Sequence, residues 1–80
     1  MKLELPSLKD EEIDFAQQKI TRSPSGMHRL RDIFGVDWNR MKKKNDYGIR
    51  FKQSARDGRL RGIKIGPVTS QNHQTYWIAG

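Results

Sequence analysis

The spacing of apolar positions divides the 80-residue chain into helical stretches followed by alternating ones. Lys2-Leu3-Glu4-Leu5 alternates polar and apolar ahead of Pro6, a pattern for a short edge strand or an extended arm, because proline has no N–H to give a ladder. Ser7 stands where an N-cap would, and Asp10, Glu11 and Glu12 fall in the following turn, where carboxylates complement the helix dipole. A helix over 8–20 is predicted, with Ile13, Ala16 and Ile20 at helical spacing and Leu8 and Phe15 less regularly placed. Thr21-Arg22-Ser23-Pro24-Ser25-Gly26 is a turn or linker by composition. Met27, Leu30, Ile33 and Phe34 then share one face of a second helix that Gly35 ends. Asp37 caps a short third helix over 38–43, which Lys42, Lys43 and Lys44 close with charge suited to a C-terminus.

Residues 45–65, NDYGIRFKQSARDGRLRGIKI, are the stretch around which the rest is organised. Asn45 or Asp46 caps a helix that Asp57-Gly58 ends. Tyr47, Phe51, Ser54 and Ala55 lie on one face of it, and Ile49, Lys52, Gln53 and Arg56 roughly opposite. Gly48 costs about 1 kcal/mol against alanine and suits a place where backbone or phosphate comes close. Arg59 and Arg61 follow around Leu60, and Ile63-Lys64-Ile65 alternates as a strand with its isoleucines inward. A polar loop runs from Gly66-Pro67 to Gln74, and Thr75-Tyr76-Trp77-Ile78 returns, giving a hairpin whose tip is too long for a two-residue turn. The expected fold is α+β: a small winged-helix-like domain of three to four helices followed by a C-terminal β-hairpin. Residues 1–24 supply the N-terminal arm and acidic helix, and 25–80 the basic winged-helix-like domain, as one compact unit.

Size and charge narrow the function. A chain this short buries only about 60% of the surface it exposes when unfolded, so a deep catalytic pocket is not expected, and a homodimer would add buried surface. The absence of cysteine excludes disulfides and thiolate metal sites. His28 and His73 stand alone, without the acid, thiol or activated serine that a catalytic arrangement needs, so neither an enzyme nor a cofactor is expected. No apolar run approaches a membrane span, and the N-terminus lacks a signal-peptide core, so a cytoplasmic protein is expected. Residues 1–20 hold three lysines against five carboxylates, whereas the remaining sixty hold thirteen Lys and Arg against four. That concentration favours a polyanionic partner, because releasing counterions from phosphates supplies most non-specific nucleic-acid affinity.

The element order is that of a winged helix, in which a helix enters the major groove and the hairpin tip touches adjacent backbone. On that reading Lys52, Gln53 and Arg56 face bases, since arginine pairs with guanine and glutamine with adenine. Arg50, Arg59, Arg61 and Lys64 hold phosphates, Lys42, Lys43 and Lys44 add charge beside them, and Gln71, Asn72 and His73 form the wing tip. Weighed against this is an ordinary solvated helix face. Phe34, Trp38, Tyr47 and Phe51 could stack on single-stranded bases, but their helical spacing makes them core residues first. Tyr76 and Trp77 project to opposite faces of the last strand, so one of them is available outside. A ribbon-helix-helix reading would turn Lys2 and Glu4 to the groove, where Glu4 suits phosphate surroundings poorly.

From Leu30 to Trp77 the chain resembles a family of small bacterial and phage domains of unknown function. The shared residues are Ile33-Phe34-Gly35, Trp38, Gly48-Ile49-Arg50-Phe51-Lys52, Gly58, Gly62-Ile63, Asn72-His73 and Tyr76. It departs from the pattern by carrying one arginine before Phe51 and by its N-terminal helix. The resemblance implies a compact α+β, winged-helix-like domain from a prokaryote or its phage, and no activity. The expected function is therefore a DNA-binding module, a regulator with helix 46–57 in the major groove of duplex DNA, RNA being an open alternative. From a different class comes a phage-encoded interaction module whose basic face docks on an acidic host protein, inhibiting a nucleoprotein enzyme.

Overall fold

A computed structural model describes residues 7–79. The strand or arm expected over 2–5, and the ribbon reading built on Lys2 and Glu4, lie outside the described residues. The elements are α1 (Asp10–Arg22), β1 (Gly26–His28), α2 (Leu30–Phe34), α3 (Val36–Arg40), α4 (Lys44–Arg56), β2 (Ile63–Val68) and β3 (Gln74–Ile78). Together they make a small α+β domain of four helices and one antiparallel sheet of order β1-β3-β2. Among the described residues no helix is long and apolar enough to cross a membrane.

Helix α1 begins at Asp10, capped at Lys9, rather than at Leu8 behind a Ser7 cap. The Lys9 ammonium has no lone pair to offer, and the cap is made from inside, by the Lys9 N–H donating to Glu12 Oε1 at 2.9 Å. The reason for the late start is Leu8, which is fully buried. Its backbone N–H donates to Ser54 Oγ on α4 at 2.8 Å, and Arg59 Nη1 donates to Ser7 Oγ and to the Leu8 carbonyl, both at 2.6 Å. Residues 7 and 8 are thus used to fasten the chain to α4 and cannot enter the helix.

The second correction is at Met27, which lies in β1 and not on a helix. It faces Trp77 across the sheet, between the pairs Gly26↔Ile78 and His28↔Tyr76. Three residues of strand complete the hydrogen bonding of β3, making the last strand of the hairpin the central one. The spacing of Met27 and Leu30 imitated a helical stripe, but Met27 stays half exposed. His28 Nε2 bonds the Pro24 carbonyl oxygen at 2.8 Å, holding the turn that leads into the strand.

The third correction concerns the lysines. Helix α3 ends at Arg40, Met41 is extended and rests against the core, Lys43 caps α4 and Lys44 is its first residue. The three lysines therefore stand at a helix N-terminus, where positive charge opposes the dipole. Anchoring Met41 requires the chain to turn there, and the turn resets the helix one residue before Asn45.

The core joins Leu8, Ala16 and Ile20 to Ile33, Phe34, Phe51, Leu60, Ile63, Tyr76 and Ile78. Phe34 is its hub, with ring centroids 5.9 Å from Phe15, 6.2 Å from Trp38, 5.5 Å from Tyr47 and 5.8 Å from Phe51. The Tyr47 and Phe51 contacts are edge-on, the arrangement the ring quadrupoles favour, and Phe51 passes the chain of rings to Tyr76 at 5.1 Å. The expected reading of Phe34, Trp38, Tyr47 and Phe51 as core holds, as does the inward direction of Ile63. Trp77 is the aromatic left outside this cluster, 49% exposed on the far face of the sheet.

Candidate nucleic-acid interface

Helix α4 owes its position to its apolar side. Phe51 and Ser54 are buried, Tyr47 and Ala55 pack against the core, and the Ser54 hydroxyl donates to the Arg50 carbonyl at 2.9 Å while accepting from Leu8. With that side fixed, Asn45, Gly48, Ile49, Lys52 and Arg56 fall on the opposite side at successive turns. An added Cβ at Gly48 would sit 3.7 Å from Leu30 Cδ1, an ordinary contact, so packing does not demand glycine there.

A groove runs beside this stripe. Lys44, Asn45, Gly48, Ile49 and Lys52 of α4 form one wall, Arg29, Leu30 and Arg31 at the start of α2 another, and Asn72 and His73 from the β2–β3 loop with Gln74 at the start of β3 the third, with Trp38 and Tyr76 beneath. No carboxylate lines it among the described residues. Arg29 lies 4.0 Å from Asp32, a loose and solvent-exposed pairing. Burial pushes the Tyr76 phenol up to about 12, so it remains a neutral hydroxyl at any physiological pH. The loop tip is shaped by a small internal network: the Thr69 N–H donates to the His73 carbonyl at 2.8 Å, and the Asn72 and His73 N–H groups donate to Thr69 O and Oγ1 at 2.9 and 3.1 Å. Asn72 adopts the left-handed conformation at φ 67°, which asparagine tolerates better than most residues.

The thirteen residues singled out from the sequence separate into distinct groups, with Gln71 exposed at the tip of the β2–β3 loop. Lys44, Lys52, Asn72 and His73 line the groove. Arg56 is exposed one turn beyond Lys52, and Lys42 and Lys43 are exposed beside the start of α4. Lys64 is exposed on β2, in register with Trp77 and so on the far face of the sheet. Arg61 borders a separate depression against α1, where its backbone N–H and carbonyl are clasped by the Gln17 side-chain amide at 2.8 and 3.0 Å.

Arg50, Arg59 and Gln53 are engaged within the fold. The Arg50 guanidinium, only 17% exposed, pairs closely with Glu12 of α1 and more loosely with Asp46 at 3.4 Å. Arg59 clasps Ser7 and Leu8 and pairs with Asp10 at 2.9 Å. The Gln53 amide donates to Asp57 Oδ1 one turn on, also at 2.9 Å. The acidic start of α1 is where two of the expected phosphate-binding arginines are used. Arg29, Arg31, Asn45 and Ile49 were not singled out as binding residues from the sequence. Asn45 and Ile49 carried a usable signal, since both fall on the turn-by-turn stripe through Lys52 and Arg56.

Among the described residues no group of three or more histidines and carboxylates is placed to hold a metal ion. No family model, curated protein or solved structure matches the chain.

Proposed function

We propose that the chain is a small DNA-binding module of winged-helix type, a regulator of prokaryotic or phage origin, that sets the outer stripe of α4 into the major groove and lays the β2–β3 loop along the adjacent backbone. The observation that carries this reading is the groove itself: Arg29, Arg31, Lys44 and Lys52 converge on it with the Asn45 and Asn72 amides, and no carboxylate lines it among the described residues. Cations at a groove mouth neutralise phosphates, and amides and a lysine on an exposed helix are suited to base edges. The sheet order β1-β3-β2, with the hairpin as wing and β1 flanking it, agrees with the same fold type.

In this arrangement Asn45, Lys52 and Arg56 approach bases, while Arg29, Arg31, Lys44, Asn72 and His73 hold backbone; Lys42 and Lys43 add charge at one end. Arg50 and Arg59 are structural. Fluorescence anisotropy with a random-sequence duplex at about 50 and 200 mM salt tests the reading, because counterion release makes affinity fall steeply over that interval. Salt-independent binding, or none to any duplex, would overturn it.

One observation favours a second reading, a protein-interaction module docking on an acidic host surface. Met27, Trp77 and Lys64 form a row across the three strands on the far side of the sheet, with Met27 and Trp77 about half exposed, and aromatic residues and methionine are enriched at protein interfaces. Retention of a partner from nuclease-treated lysate by the wild type but not by Trp77→Ala, with no affinity for free duplex, would favour this reading over the first.

A further inference from the structure

Six large apolar side chains stand exposed among the described residues: Phe15, Met27, Val36, Ile49, Val68 and Trp77. Only Ile49 lies in the cationic groove. It is 50% exposed, at the middle of α4, with Asn45 one turn before it and Lys52 one turn after. Its outer half is left uncovered by the other described residues. A branched aliphatic side chain held in water between an amide and an ammonium has one kind of complement in a duplex major groove. Of the four bases only thymine presents an apolar group there, its 5-methyl, whereas the other edges offer hydrogen-bond donors and acceptors that isoleucine would leave dehydrated and unpaired.

We infer that Ile49 is a specificity-determining residue that reads the 5-methyl group of a thymine, beside an adenine bonded by the Asn45 amide. Asn45 and Ile49 are separated by one helical turn, about 6 Å along the axis, which corresponds to roughly two base steps of about 3.4 Å. The adenine and the thymine therefore lie within about two base pairs of one another. This inference rests on the duplex-binding reading above and adds which base the helix selects.

Selection from a random duplex pool, followed by synthetic copies of the selected site in which each thymine in turn is replaced by deoxyuridine, isolates the methyl group without altering any hydrogen bond. One replacement is expected to weaken wild-type binding roughly three- to ten-fold, the worth of one buried methyl group. Ile49→Ala should bind the thymine and deoxyuridine forms alike, with Ile49→Val intermediate. Both variants change an exposed side chain, and melting within a few degrees of wild type verifies that they fold. Salt-sensitive binding that yields no preferred site, that is indifferent to every deoxyuridine, or that keeps its thymine preference in Ile49→Ala overturns the inference and leaves the duplex-binding reading standing. Absence of duplex binding removes both.

Discussion

Tyr47 carries the buried side-chain oxygen that has no hydrogen-bond partner among the described residues. Burial, helped by the nearby Glu12 carboxylate, holds its phenol far above the usual range, so the hydroxyl is a neutral group stripped of water with nothing in exchange. Removing such a group is neutral to favourable, and Tyr47→Phe is expected to raise stability by up to about 1 kcal/mol in urea unfolding. Ser54 is the opposite case. Its hydroxyl accepts from the Leu8 N–H and donates to the Arg50 carbonyl with no solvent exposure. Ser54→Ala strands a buried N–H, and a loss of about 1–3 kcal/mol is expected by the same measurement. At Gly66, beside the irregularity in the β2–β3 register, an added Cβ would come within 2.8 Å of Thr75 Oγ1 and 3.3 Å of the Thr75 carbonyl oxygen. Thr75 is buried and its hydroxyl is held by the Pro67 carbonyl, so it cannot swing away. Gly66→Ala should therefore destabilise by about 1–3 kcal/mol.

At the scale of elements, α1 is fastened to the rest by charge as well as by Leu8, Ala16 and Ile20. Arg59 ties its approach, Arg50 reaches Glu12, and Lys19 pairs with Asp37 of α3 at 2.5 Å while lying 5.2 Å from the centre of the Phe15 ring. If Arg59 is a structural clasp, Arg59→Ala will lower stability and speed amide exchange in α1 first, yet leave duplex affinity within about two-fold. An equal loss of affinity at unchanged stability would return Arg59 to the binding surface. The α1–α3 tie also has a pH signature. The Lys19 ammonium, by hydrogen bond and charge, holds Asp37 below its ordinary carboxylate value. A carboxylate depressed in the folded state stabilises above its unfolded pKa and loses that contribution as pH falls through the folded value. The stability gap between wild type and Asp37→Asn is thus expected at neutral pH and should close below about pH 4, as followed by urea unfolding across that range.

Across the whole molecule, the positive charge that the composition advertises is unevenly usable. Two of the most promising arginines are neutralised by the acidic start of α1, and the groove draws its charge from Arg29, Arg31, Lys44 and Lys52 instead. On the proposed duplex-binding reading, replacing Lys44 or Arg31 by Ala weakens binding without regard to sequence and reduces the slope of log affinity against log salt by about 0.9 each, measured by anisotropy. Much of this molecule was legible in the chain itself. The existence of α1, α2, α3 and α4, the strands at Ile63 and Thr75, the aromatic core and the outward direction of Lys52 and Arg56 follow from apolar spacing and turn residues, which are local. Strand β1 was hidden because three residues carry no period, and its pairing with Trp77 spans fifty residues of chain. The occupation of Arg50 and Arg59 was hidden for the same reason, since Glu12 and Asp10 come to them only after folding. The sequence by itself determined which elements form and that the surplus of charge is positive. Only the tertiary structure decided which cations are taken up in ion pairs within the fold, because an ion pair between distant segments depends on where packing brings them, and no local pattern records that.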